Sequence, residues 1–168
     1  MSYREIPFAE VPACHPVAVF GDYWASRKSD GCLPRRSDFD PVNLTALLPW
    51  ILILDVVEID EMTQFRYRLT GTGCRELLGV DYTGKLLGEA LTREGAEIRR
   101  LESLRAVVSG EPIYIWTALP VPGREFLKAY RGVFPVTIGG DKTDQLFVVY
   151  AHEALRLEMP LGAELKRA

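Results

Sequence analysis

Apolar and polar positions alternate strictly in "QFRYRLTG", residues 64–71, with Phe65, Tyr67 and Leu69 on one side and Arg66 and Arg68 on the other. A period of two predicts a half-buried antiparallel strand. The preceding "WILILDVVEI" is apolar and β-branched, which predicts a second strand, and "DEMT" between them is the turn of a hairpin. Three more strands are predicted in "PIYIWTAL", "EFLKAYRGVFPVT" and "QLFVVYAHE", with turns at "PVPGR" and "IGGDK". Both faces of "PIYIWTAL" are apolar, so its pattern leaves open which face turns inward.

Other segments carry the helical period. "VAVFGDYWASRKS" puts Val17, Phe20 and Trp24 on one stripe, extended by Tyr23, with Pro16 before it and Gly31 after. Such a stripe needs a cover. The cover is the chain's own sheet, the same helix of a second molecule, or both, and we expect a homodimer through Val17, Phe20, Tyr23 and Trp24. Asp40 as N-cap, Pro41 at the first helical position and Pro49 as terminator predict a short helix in "DFDPVNLTALLPW". Residues 72–91 read as short helical turns punctuated by glycines. Thr92 can cap a longer helix, ended by Gly110 and Pro112, with Ile98, Leu101, Leu104 and Val108 on one face. Its other side carries Glu97, Arg99, Arg100 and Glu102, and is expected to be solvated.

The order is helix, helix, two strands, short helices, one longer helix and three strands. It predicts an α+β arrangement of an antiparallel sheet with packed helices. At 168 residues the chain suits one domain with additions, large enough to bury a core without staples. Acidic residues number 23 against 20 basic ones, for a net charge of −3, which disfavours nucleic acid as a partner.

Cys14, Cys32 and Cys74 are odd in number and irregularly spaced, as expected of reduced thiols in a cytoplasm. Cys14, His15 and Cys32 lack the second close pair of ligands that a zinc site needs, so no metal is expected. Arg4, Glu5 and Pro7 interrupt any signal-peptide core. The longest apolar run, "ALLPWILIL", contains a proline and falls well short of the ~20 residues that span a bilayer. No membrane insertion is expected, and the expected location is cytoplasmic. No nucleophile elbow, P-loop or dinucleotide fingerprint is present. Asp38 and Asp40 serve capping and the helix dipole. No catalytic residue emerges, and the chain is not expected to be an enzyme.

Short motifs in a fixed order sharpen the fold. They are Leu33, Pro34 and Arg36; Asp40 and Pro41; Leu47 to Pro49; Tyr67 to Leu69; Gly71 and Thr72; and Gly79, Asp81, Thr83 and Gly84. Together they resemble a bacterial PAS family often found as small stand-alone proteins, over residues 20 to 155. The resemblance implies a five-stranded antiparallel sheet with helices on one face, plus N-terminal helices. The implied domains are an N-terminal segment 1–31, a PAS domain 32–155 and a C-terminal tail 156–168. It also implies a sensor or adaptor without enzymatic activity that binds a small molecule or a protein partner; the alternatives are a ligand-free protein–protein interaction module and a small cone-shaped enzyme. No kinase, cyclase or DNA-binding segment follows the last strand, so its output is expected to reach a signalling protein in trans.

"GTGCRELLG", residues 71–79, shares Gly71, Cys74, Arg75 and Leu77 with the cysteine motif of light-oxygen-voltage flavin sensors. Cys74 comes immediately after the strand, whereas the flavin cysteine comes about twenty residues past it. The corresponding stretch, residues 85 to 91, has no cysteine. Cys74 is therefore expected to be a buried filler at a helix start. The long helix lacks the histidine that haem-binding PAS domains use, and no cofactor is expected. In a PAS fold a small ligand sits between sheet and helices, in a pocket lined by apolar groups and a few polar tips. The candidate ligand-binding residues are Tyr67, Arg68, Leu69, Tyr82, Tyr114, Trp116, Tyr130 and Phe134. Arg68 is the candidate for holding an anionic group, or else, with Arg36, a partner for Asp40 or Asp81.

Overall fold

The structure, a computed structural model, describes residues 3–158, so the expected tail lies outside the described residues from position 159 onward. One antiparallel sheet organises the chain, in the order β1-β4-β5-β6-β2-β3. Its strands are β1 (Tyr3–Ile6), β2 (Ile51–Ile59), β3 (Met62–Thr70), β4 (Ile113–Ala118), β5 (Lys128–Val136) and β6 (Gln145–His152). Five of them match the expected set. The sixth, β1, pairs Tyr3 with Thr117 and Ile6 with Tyr114 along the edge of β4. Its four residues, in a stretch dotted with prolines, show too little alternation to be read from sequence.

Helices cover both faces, which is why so many strands are apolar on both sides. On one face lies α1 (Pro16–Arg27), with His15 as N-cap and Pro16 at the first position. Phe20 of α1 contacts the rings of Phe39, Phe134 and Phe147, with centroids 4.8–5.9 Å apart. Trp24 Nε1 donates to the Pro135 carbonyl at 2.8 Å. Gly132 permits this approach: a Cβ there would lie 2.9 Å from Val17 Cγ1. The other face carries α2 (Thr72–Leu78) and α3 (Arg93–Ser109).

The chain's own sheet is the cover of the α1 stripe. Val17, Phe20, Tyr23 and Trp24 are all at most 3% exposed. The expectation that these four side chains form a dimer interface is corrected, since no part of them is left for a second molecule. The expected helix between Asp40 and Pro49 is corrected too. Consecutive turns occupy residues 41–47, followed by a single 3-10 turn at Leu48–Trp50. Two prolines leave too few residues between them to repay helix nucleation. Asp40 Oδ1 accepts from the Val42 amide at 2.9 Å, capping a turn in place of a helix.

The hairpin of β2 and β3 turns through Asp60 and Glu61, both at positive φ, as a tight two-residue hairpin turn requires. Further along, Ile53 pairs with Leu69 but Leu54 pairs with Tyr67, so Arg68 is the extra residue of a bulge. The bulge reverses the alternation. Phe65 and Tyr67 pack inward, while Leu69 is turned out and is 42% exposed. Leu69→Ala should therefore change stability by less than about 0.5 kcal/mol, whereas a buried leucine would cost about 2–5 kcal/mol. Urea titration of the variant checks this.

His15 makes α1 sensitive to acid. Its Nδ1 accepts from the Val17 amide at 3.1 Å, and its Nε2 lies 3.1 Å from the His152 carbonyl. That arrangement needs the neutral ring with its proton on Nε2, and burial lowers its pKa from 6.5 to about 4. Between those pH values the unfolded chain binds a proton that the folded chain does not. Stability contributed by the neutral ring is fully present above about 6.5 and is lost as pH falls toward about 4, at ~1.4 kcal/mol per pKa unit, or about 3 kcal/mol in all. His15→Asn keeps an acceptor at the cap. It should flatten that part of the stability–pH curve, as urea titrations from pH 7 to 4 would show.

Candidate functional site

α3 turns part of its charged side inward, with Leu104 and Val107 packed beside it. Glu102, Ser103 and Ala106 are buried against the sheet, while Ile98 and Leu101 are exposed and Val108 is 79% exposed. The expectation of a solvated charge face is thus corrected for Glu102 and Arg99, whereas Glu97 is exposed and pairs with Arg100 at 2.8 Å. The spacing 99, 102, 103, 106 is itself a helical stripe, and small Ser103 and Ala106 let the helix come close. Burying charge is costly unless it is paired, so the inward charges need partners.

The partners come from two strands. Arg131 of β5 and Glu102 of α3 form an ion pair at 2.6 Å, with side chains 6% and 1% exposed. Glu102 Oε2 also accepts from Arg131 Nη2 at 2.8 Å and from the Tyr3 hydroxyl of β1 at 2.5 Å. Burial raises the Glu102 carboxyl above the ordinary carboxylate range, while the Arg99 charge, the Tyr3 hydrogen bond and Arg105 act the other way. The Arg99 guanidinium sits 5.9 Å from the centroid of the Tyr3 ring. One buried carboxylate thereby ties α3, β5 and β1 together.

Beside this network lies a cavity of about 50 Å³. Its floor is the sheet: Leu52 and Leu54 of β2, Tyr67 of β3, Arg131 of β5, and Val148 and Tyr150 of β6. Its walls are Arg99 and Ser103 of α3, Leu78 of α2, and Tyr82, Leu87, Ala90 and Leu91 of the segment between the helices. That segment is held in place by backbone bonds to the edge of β3. Leu87 donates to the Phe65 carbonyl at 2.8 Å, and Gly84 to the Tyr67 carbonyl at 2.7 Å. Gly88, at φ +94°, is required there, because a Cβ would come within 2.6 Å of Ala96 Cβ on α3. Burial raises the Tyr67 hydroxyl well above its ordinary range and the Tyr150 hydroxyl to about 12, so both are neutral donors at pH 7.

Of the eight candidate ligand residues, the structure brings two to this cavity, Tyr67 and Tyr82, whose rings stack at 5.2 Å. The other six lie away from it. Tyr114, Trp116, Tyr130 and Phe134 face α1 on the opposite side of the sheet, because they occupy the alternate positions of β4 and β5. Trp116 Nε1 donates there to Glu153, and Tyr130 meets the edge of His15. Leu69 is turned outward by the bulge. Arg68 pairs on the surface with Asp55 at 3.3 Å, while Asp81 pairs with Arg75. The cavity residues that sequence reasoning missed are Arg99, Ser103, Arg131 and Tyr150, with Glu102 behind them. A signal existed for one of them. Arg131 is a lone charge inside the apolar strand "KAYRGVFPV", and a buried charge implies a partner.

A sheet of this order, with the longer helix across one face, is the arrangement that the motifs implied, and the family model for the PAS domain matches residues 13–121. The chain belongs to the PAS-domain family. PAS domains serve as sensory or signalling modules, and that general role extends to this protein. No curated protein matches the chain. Among solved structures it is similar to an RNA-binding light-oxygen-voltage receptor, at 14% identity and a TM-score of 0.49, over 83% of this chain and 38% of the receptor's. No described helix of this PAS domain is long and apolar enough to cross a membrane.

In this PAS domain Cys74 lies in α2, fully buried, with its thiol 3.4 Å from the Tyr150 carbonyl. Burial pushes the thiol up to about 12, which leaves almost no thiolate at neutral pH. A photochemical or redox cysteine needs a reactive sulfur within reach of its partner, and this one is packed among apolar side chains.

Proposed function

We propose that this PAS domain is a non-enzymatic sensor. It takes a small molecule into the cavity beneath α3 and relays occupancy to a partner protein through β1. The observation that carries this reading is the buried Glu102 of α3, which joins the cavity residue Arg131 to Tyr3 of β1. An apolar helix face against an apolar sheet would be the more stable packing. A buried ionic network beside a cavity makes sense when an occupant competes for its charges. A ligand that draws on Arg99 or Arg131 changes what Glu102 and Tyr3 experience. It shifts the population of β1 arrangements by its differential affinity for them. The exposed stripe of Ile98, Leu101 and Val108 supports a contact of α3 with the partner.

A thermal-shift screen of small metabolites against the wild type and Ala90→Trp tests the reading. Ala90 lines the cavity and is exposed at its mouth, so tryptophan there plugs the opening at little cost to the fold. A ligand at a hundred times its Kd should raise the wild-type Tm by about 5–10 °C and leave the plugged variant unmoved. Equal shifts in both proteins, or none across the screen, would overturn it.

A further inference from the structure

Three buried donors on cavity-lining residues have no acceptor within the protein: Arg99 Nη1, Arg131 Nε and the Tyr150 hydroxyl. Tyr150 and Arg131 are themselves 4% and 5% exposed. A guanidinium nitrogen only donates, so an occupant must present acceptors. The charges point the same way. Arg131 is matched by Glu102, whereas Arg99 makes no ion pair among the described residues and shares the one Glu102 charge, so the three groups together carry a net positive charge. The field of Arg99 reaches the Tyr67 and Tyr150 hydroxyls and opposes the effect of burial on both. The remaining walls are hydrocarbon, chiefly Leu52, Leu54, Leu78, Leu87, Leu91 and Val148. The volume of about 50 Å³, at roughly 10–15 Å³ for each water-sized group, suits an occupant of about three to five non-hydrogen atoms.

We propose that the ligand is a short-chain carboxylate. Its charged end is held by Arg99 and the Tyr150 hydroxyl, and its alkyl end lies against the leucines. This rests on the cavity being a ligand site. A planar carboxylate accepts from a guanidinium and a phenol together, and a tail of one or two carbons fills the apolar end. The Tyr150 hydroxyl has no partner in the protein, so it is held in place for something other than the fold.

Calorimetric titration in a carboxylate-free buffer tests the proposal, with propionate, propionamide and inorganic phosphate as probes. The proteins are the wild type, Tyr150→Phe, Arg99→Met and Ala90→Trp. Propionate should bind the wild type at least about tenfold more tightly than either other probe. Tyr150→Phe and Arg99→Met should each weaken it by about tenfold or more. Tyr150→Phe removes only an unpartnered hydroxyl, so its Tm without ligand should match or exceed the wild-type value. A purely structural role would lower that Tm instead. Equal binding of propionamide, abolished in Ala90→Trp, would overturn the anion and leave the ligand site standing. Equal binding of phosphate would overturn the alkyl-carboxylate class. No binding of any probe at ten millimolar would mean that water alone satisfies the donors. That would overturn the proposal, while the metabolite screen judges the ligand site separately.

Discussion

Glu102→Gln should destabilise the protein by about 3–5 kcal/mol, because it leaves the Arg131 charge buried without its counter-ion. Arg131 is 5% exposed, on a strand that lies between β4 and β6 in the sheet. Arg131→Met alone should cost a similar amount for the mirror-image reason. The double variant Glu102→Gln/Arg131→Met should recover much of the loss, since it removes both charges. Urea denaturation of the four proteins closes the cycle. A Glu102→Gln loss below about 1 kcal/mol, the range of exposed pairs, would mean that water enters the network. The same cycle separates stability from signalling. The double variant should be folded and yet lack the link from the cavity to β1.

Phe20→Ala should cost about 3–5 kcal/mol, comparable to removal of any large side chain from a packed core. Phe20 is fully buried, and three other aromatic rings surround it between α1 and the sheet. The loss would show that the segment before residue 32 is part of the fold, since it supplies both the cover of one sheet face and the edge strand β1. Chemical denaturation gives the free energy, and sedimentation gives the oligomeric state. The side chain is internal, so the state should be the same before and after substitution. A dissociated variant that keeps its stability would return Phe20 to an interface.

Strong periodicity made the sheet legible in the sequence. β2, β3, β5 and β6 carry apolar or alternating runs that no other element fits, and Gly110 marks the end of α3 at φ +67°. Three features were hidden, each for a physical reason. Both faces of the sheet are covered, so apolarity on both sides of β4 could not say which face meets α1 and which the opposite helices. One bulge at Arg68 reversed the face of Leu69 without any trace in the alternation. α3 turns Glu102 and the small Ser103 and Ala106 to the sheet beside Leu104 and Val107, and leaves Ile98, Leu101 and Val108 outside. Burying that charge contradicts the local pattern. Such conflicts between pattern and packing gather at functional sites, and here the conflict lies beside the cavity.

Hydrogen–deuterium exchange of the full chain, with and without the most stabilising compound from the screen, is the most direct measurement. If the cavity is the receiving site and Glu102 the relay, exchange should slow in α3, in residues 79–92 and also in β1. Protection confined to the α1 face, or protection around the cavity with β1 unchanged, would contradict it.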